Sequence, residues 1–421
     1  MNEKEIKKRY EQAKQLYAKI GVDTDKAIEK AESIPLSIHC WQGDNIKGFL
    51  HPDETLSGGI QVTGEYPYSA RNPEEMREDL HQVFSMIPGK KKLNLHAIYA
   101  DTNDSIDVNE IEPQHFSPWV DFAKKEKIGL DFNPTLFSHP KAASGFTLSS
   151  NKKEIRDFWI EHCIRSRKIG EYFGKELNQK SVVNIWIPDG FKDYPIDRLS
   201  PRKRLKESLD RIYESDVDES YVLDTVESKL FGIGTEAYTT GSYDFYLSYV
   251  MDRKKTICLD LGHFHQTEDV FDKIPSVMMF SDELLLHISR PMHWDSDHVV
   301  LMDDVLQRTM ETLVRNDLLD RTHLAMDFFD GSISPLFAWT IGARNAQKAL
   351  LRALLEPIKM LKDMENDGDY NHRLTWTEEL KTYPFADVFA YYCMKNGVPY
   401  DDTWIKELDA YEKRNLEERR Q

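Results

Sequence analysis

The sequence predicts a (β/α)8 barrel, and three observations support that fold class. Eight short segments rich in β-branched and other apolar residues recur after Pro35, and helix-like stretches separate most of them. Strand alternating with helix builds βα units on a parallel sheet. The segments start at intervals of roughly 30–55 residues, the length of a βα repeat that carries inserted loops. An open, doubly wound sheet would instead show a glycine-rich phosphate loop after its first strand. The nearest candidate, Gly232-Ile-Gly234-Thr-Glu-Ala237, lies in the fifth unit after a charged ESK and reads as a loop that uses the backbone freedom of glycine.

The elements follow in order. Residues 5–31 read as amphipathic helix, with Ile6, Tyr10, Ala13 and Tyr17 at helical spacing. The strand segments are SIHCWQ (37–42), KLNLHAIYA (92–100), IGLDFNP (128–134), VVNIWIP (182–188), SYVLDTVE (220–227), TICLDLG (256–262), LLLHIS (284–289) and HLAMDFF (323–329). The intervening helices include residues 72–87, 151–174 and 303–318. Residues 343–365 are strong helix formers, and the last fifty or so, with Tyr391, Tyr392, Trp404 and Tyr411, read as a helical extension. With no linker or low-complexity segment, one elaborated domain over 1–421 is expected. Its core would span 35–345, and 346–421 would pack on the barrel or on a sister subunit.

Composition narrows the function. The chain has 421 residues, 40% of them apolar, ample for a large core. A mean hydropathy of −0.58 and the lack of a long apolar run exclude a membrane span. The charged N-terminal MNEKEIKKRYEQ lacks the apolar stretch of a signal peptide, so a cytoplasmic protein is expected. Cys40, Cys163, Cys258 and Cys393 are scattered without a C-x-x-C pair, which predicts buried free thiols. A net charge of −17 argues against nucleic acid, whose binders neutralise phosphates with a basic face. The basic runs KKK (90–92) and SPRKRLK (200–206) are short and read as a solvated loop or helix start. A neutral substrate suits this balance.

Active sites of such barrels sit at the C-terminal strand ends. Those ends carry His96, Trp186, Glu227, Lys229, Asp260, His263, His287, Asp295, Asp297, Asp327 and Asp330. Burying charge without a partner is costly, and metal ions remove that cost. Glu227, Asp260, His287 and Asp327 are separated by 33, 27 and 40 residues, each about one βα unit, so all four can converge above the barrel. Three carboxylates and an imidazole suit Mn²⁺ or Mg²⁺. His263 lies three residues after Asp260, and Asp295 and Asp297 point to one side if extended. Asp260 could thus bridge two ions, with His263, Asp295 and Asp297 completing the second set. Taken singly, Glu227 or Asp327 reads as a helix cap or ion-pair partner, His287 as a core histidine, Asp295 and Asp297 as a turn. His265, His293 and His298 read as loop or supporting groups. Trp186 and Phe329 read as core, or as pocket walls that exclude water. Their conjunction on consecutive strand ends is what points to metal.

The segments VESKLFGIG (226–234), LDLGHFHQTE (259–268), HISRPMHWDSDH (287–298) and AMDFFDGSIS (325–334) resemble those of the L-rhamnose isomerase family. So do GGIQVTGEYP (58–67), LNLHAIYAD (93–101), DFNPTLFSHP (131–140) and NIWIPDGFKD (184–193), so that the resemblance spans nearly the whole chain. It implies a homotetrameric barrel that interconverts L-rhamnose and L-rhamnulose with two divalent ions, Mn²⁺ or a relative such as Mg²⁺, Co²⁺ or Zn²⁺. By that resemblance Glu227, Asp260, His287 and Asp327 hold a structural ion, and Asp260, His263, Asp295 and Asp297 hold a catalytic one. His96, Trp186 and Lys229, with Phe329, would contact the sugar, and the loop Gly58–Val62 would cover it. Asp295, Asp327, Lys229 and His96 are the candidate catalytic groups. A metal-assisted hydride shift between C1 and C2 is favoured over an enediol route. The competing functions are a sugar epimerase, which would share the ligands, and a metal-dependent barrel nuclease or phosphoesterase, which the acidic charge disfavours.

Overall fold

The computed structural model describes residues 2–50, 64–290 and 297–419. Eight parallel strands close a barrel: β1 (Leu36–His39), β2 (Lys91–His96), β3 (Gly129–Asn133), β4 (Ser181–Trp186), β5 (Val222–Glu227), β6 (Thr256–Asp260), β7 (Leu284–Ile288) and β8 (Thr322–Met326). Each strand pairs with its sequence neighbours, and β1 closes the ring against β8. All eight predicted strand segments are therefore present and the predicted fold class is observed. The strands are buried on both faces, as a sheet wrapped by helices must be. A two-stranded antiparallel ribbon, Gly190–Phe191 with Tyr238–Thr239, stands beside the barrel.

Local chemistry sets the helix ends. Asn72 accepts the N–H of Glu75 and Pro73 opens the helix Pro73–Phe84; Asp303 accepts the N–H of Leu306 ahead of Asp304–Arg315. Helices leading into β3, β4 and β6 each end on a left-handed residue, Lys127, Asn178 and Lys254.

Two helical stretches break where the sequence reading ran them through. Residues 5–31 form two helices, Glu3–Ala18 and Thr24–Ser33, because Gly21 turns with φ +80° and Asp23 caps the second. The stretch 343–365 divides into Pro335–Leu354 and Ile358–Asn366, since Pro357 supplies no N–H and cannot continue the first helix. The helices Phe385–Lys395 and Glu3–Ala18 pack together, with Tyr10, Tyr17, Val388, Phe389 and Tyr392 in a separate apolar cluster. Tyr10 stacks on Tyr391 at 3.8 Å.

The main core lies between barrel and helices, while a small plug of Val182, Leu223, Cys258, Leu285 and Ala325 fills one side of the barrel interior. The other side is polar. Lys92 is buried there against Asp131, which also accepts Ser37 Oγ at 2.7 Å and Val182 N–H at 2.8 Å. Of the KKK run only Lys90 is solvated loop: Lys91 and Lys92 begin β2, and alternation turns Lys92 inward. SPRKRLK does open a helix, Ser200–Tyr213. All four cysteines are buried free thiols, and no described helix is long and apolar enough to cross a membrane.

Candidate metal centre

Each candidate ligand is delivered by the end of a strand. Pairing between β6 and β7 sets Asp260 opposite His287, and β5 brings Glu227 beside them as its last inward residue. Asp327 follows β8, with its N–H donated to Ile288 C=O at 3.2 Å so that the ladder runs one residue further. As a result, Glu227, Asp260, His287 and Asp327 each offer an atom within 4.8 Å of the others. Supporting donors fix the carboxylates. Asn184 Nδ2 donates to Glu227 Oε2 at 2.5 Å, and Trp41 Nε1 donates to Asp327 Oδ1 at 3.1 Å. Gly262 N–H and Ser289 Oγ both donate to Asp260 Oδ1 at 2.6 Å, which leaves Oδ2 for other work.

A second set shares Asp260. The His263 N–H donates to Asp260 C=O at 3.2 Å, a turn that folds the imidazole back over the strand end. Asp297 arrives from the far side, held where the backbones of Arg290 and His298 bridge and where Phe329 N–H meets Asp297 C=O. Asp260, His263 and Asp297 offer atoms within 4.8 Å of one another, with His263 Nε2 3.4 Å from Asp297 Oδ2. Asp295, His293 and the Gly58–Val62 loop lie outside the described residues. His265 turns away to bond Thr267, and Asp330 exchanges hydrogen bonds with Gln42.

Across the mouth runs a wall of rings. Trp41 meets His96 edge-on at 4.8 Å, His96 meets Phe137 at 5.6 Å, and Phe137 meets Trp186 at 6.1 Å. Lys229 Nζ sits 5.0 Å from the Trp186 ring centroid, a cation–π position. Thr135 Oγ1 lies 3.0 Å from His96 Nδ1, and Asn133 Nδ2 lies 3.3 Å from Nε2. Thr135 and Asn133 thus hold the two ring nitrogens of His96 between them. Burial pushes the His96 pKa down to about 3, so the ring stays neutral. Phe329 is half-buried against the main core.

The donor set fits a hard divalent cation. Three carboxylates approach His287 Nδ1, at 3.2 Å (Glu227), 3.4 Å (Asp260) and 3.1 Å (Asp327), yet one nitrogen can donate only one proton. Glu227 Oε1, Asp260 Oδ2, Asp297 Oδ1 and both nitrogens of His287 are buried without a hydrogen bond. Unmade bonds on so many buried polar atoms would be expensive unless a cation served them together. Electrostatics agree. Burial opposes a charged His287, but the anionic groups around it raise its pKa well above the usual imidazole value. Burial, then the charge of Asp260, pushes Asp297 up to about 8. Burial also pushes Asp327 up to about 6, with Asp260 and Glu227 adding to it. These acids crowd one another and demand positive charge.

A family model for L-rhamnose isomerase (RhaA) matches residues 4–419. The chain belongs to the L-rhamnose isomerase family. It is 57% identical over 411 residues to L-rhamnose isomerase of Listeria innocua serovar 6a, covering 98% of each chain. Against L-rhamnose isomerase of Yersinia pseudotuberculosis serotype IB the identity is 52% over 414 residues, covering 98% of this chain and 99% of that one. Among solved structures, D-psicose 3-epimerase of Clostridium cellulolyticum H10 aligns with a TM-score of 0.47 at 14% identity, covering 76% of this chain and 99% of that one.

Several groups that shape this candidate centre escaped the sequence reading. Trp41 lies on the inward face by alternation from Ser37 and His39, a signal available from period two. Asn184 was likewise two residues before Trp186. Ser289, two residues after His287, carries the same signal, whereas Phe137 and Gly262 lie in loops where no periodicity marks them. Cys258, expected as a buried thiol, stands beside Glu227 and His287.

Proposed function

We propose that the chain interconverts L-rhamnose and L-rhamnulose. One juxtaposition carries the reading: two carboxylate–imidazole sets sharing Asp260 face a ring-lined wall, in a chain 57% identical to a curated L-rhamnose isomerase. Glu227, Asp260, His287 and Asp327 would hold one divalent ion; Asp260, His263 and Asp297, with Asp295, would hold the other. Mn²⁺ is favoured, with Mg²⁺, Co²⁺ or Zn²⁺ as alternatives. When bound, such ions supply Lewis acidity that polarises a carbonyl and steadies developing alkoxide charge.

The chain's own residues do the rest. Trp186, Phe137, His96 and Trp41 pack against the sugar's C–H faces and exclude water, with Phe329 as a further contact. Lys229, poised over Trp186, donates to a sugar oxygen. His96, neutral and held at both ring nitrogens by Thr135 and Asn133, orients the sugar rather than ionising. Hydrogen moves as hydride from C2 to C1 of the aldose while the O2 proton passes to O1. C2 is oxidised and C1 reduced within one molecule, so no outside oxidant is needed. Asp327 and Asp295 are the carboxyl groups that would carry the proton. The same reading includes a single elaborated domain whose 346–421 extension meets sister subunits in a cytoplasmic homotetramer.

The test is direct. After chelation, the full chain is incubated with L-rhamnose, with and without added Mn²⁺, and assayed for ketose. Metal-restored ketose is expected; none at any metal loading overturns the proposal. In deuterated water, substantial deuterium at C1 or C2 after a single turnover would overturn the hydride shift in favour of an enediol.

A further inference from the structure

The carboxylate-rich centre has a soft side. Cys258 stands two residues before Asp260 on β6, hence on the same inward face and one layer deeper in the barrel. Pairing of β5 with β6 sets it directly across from Glu227. The Cys258 sulfur, an oxygen of Glu227 and an imidazole nitrogen of His287 lie within 4.8 Å of one another. Cys258 and His287 are wholly buried and Glu227 is 2% exposed. Both His287 nitrogens and Glu227 Oε1 are buried without a hydrogen bond, with His263 Nδ1 3.0 Å from Glu227 Oε1 as a neighbouring group. Cys40 and Cys163 belong to the main core, and Cys393 to the cluster around the N-terminal helices.

We propose that Glu227, Cys258 and His287 form a second, deeper binding set for thiophilic divalent cations such as Cd²⁺. It shares two ligands with the carboxylate set above it, so the two are mutually exclusive. Ligand softness decides between them. A hard ion gains most from the oxygens of Asp260 and Asp327, while a soft ion gains by exchanging them for sulfur. The thiol proton leaves to solvent as the metal–sulfur bond forms, so no oxidant or reductant takes part. An ion in the deeper set draws Glu227 and His287 away from Asp260 and Asp327. Thiophilic cations are therefore dead-end competitors of the hard ion. The inference requires only that the centre binds cations and does not depend on which sugar is turned over.

The experiment titrates metal-free full-length protein with Cd²⁺ and, separately, with Mn²⁺, while following the ultraviolet sulfur-to-cadmium charge-transfer band. One equivalent of Cd²⁺ should produce the band in the wild type, and Mn²⁺ should displace it. Cys258→Ser should abolish the band and lower Cd²⁺ affinity relative to Mn²⁺ by at least about tenfold, since even partners outside the ligand shell shift metal affinity by roughly 10–100-fold. X-ray absorption of cadmium-loaded wild type, which needs no variant to fold, should show one sulfur neighbour. Cd²⁺ bound without sulfur, or a band surviving in Cys258→Ser, overturns the inference while leaving the Mn²⁺ site intact. Failure of both ions to bind overturns the metal centre and this inference with it.

Discussion

Replacing Gly262 with alanine tests the shared carboxylate centre through a single methyl group. That methyl would stand 2.1 Å from Asp297 Oδ1, 2.8 Å from Ser289 Oγ and 3.2 Å from Asp260 Oδ1. Normal van der Waals separation requires the Asp297 carboxylate to retreat by about 1.3 Å. Gly262 is not among the left-handed glycines, so backbone strain adds nothing. Relief is cheap for the fold because the principal clash is with the end of one side chain. Overpacking costs about 1–3 kcal/mol at most sites, and a chain this long should lose only a few degrees of Tm. The site is less forgiving. A misplacement of about 1 Å commonly costs ~100-fold in rate, or about 2.7 kcal/mol in barrier. Isothermal titration with Mn²⁺ should find one ion still tight and the second weakened by roughly 10–100-fold, with turnover of L-rhamnose down ~100-fold. Two ions bound as in wild type, with unchanged turnover, would refute the assignment of Asp297 to the second set.

Three further outcomes follow from other contacts. Trp41→Phe removes the donor to Asp327 Oδ1 but keeps the ring against His96; competition with a fluorescent chelator should show cation affinity down by roughly tenfold. Asp44 is buried, accepts Tyr99 Oη and Gly48 N–H at 2.6 Å each, and burial pushes its pKa up to about 7. Because the folded value lies above the unfolded one, its stability contribution is fully present below about pH 4 and is lost as pH rises toward 7. Urea midpoints of Asp44→Asn should lack that slope. Asp224→Ala takes from Arg167 its buried counter-ion, to which it donates at 2.8 Å on both carboxylate oxygens behind β5, and leaves it the exposed Glu219 at 3.9 Å; denaturant unfolding should report a loss of about 3–5 kcal/mol, with turnover of the folded protein preserved.

Strand positions were legible because an apolar strand buried on both faces announces itself in a short window, and all eight appeared where expected. The helix breaks at Gly21 and Pro357 were written in the residues, yet helical periodicity on either side masked them. Lys92 was misread for a different reason. A basic run looks solvated until the Asp131 that partners it is known, and that residue lies on another strand. Trp41, Asn184 and Ser289 were missed similarly: their importance comes from which ligand they hold, not from their own neighbourhood.

The chain by itself determined the number and order of βα units and placed carboxylates and imidazoles at their C-terminal ends. Both follow from local composition and from spacing along one dimension. Only the closed barrel decided that Glu227, Asp260, His287 and Asp327 gather within 4.8 Å. It also decided that Asp260 belongs to two sets and that Cys258 lies beneath them. Convergence needs the register between strands and the closure of β1 on β8, which pair residues nearly 300 positions apart. The crowding of buried acids that calls for a cation arises only once those partners meet in a low-dielectric interior.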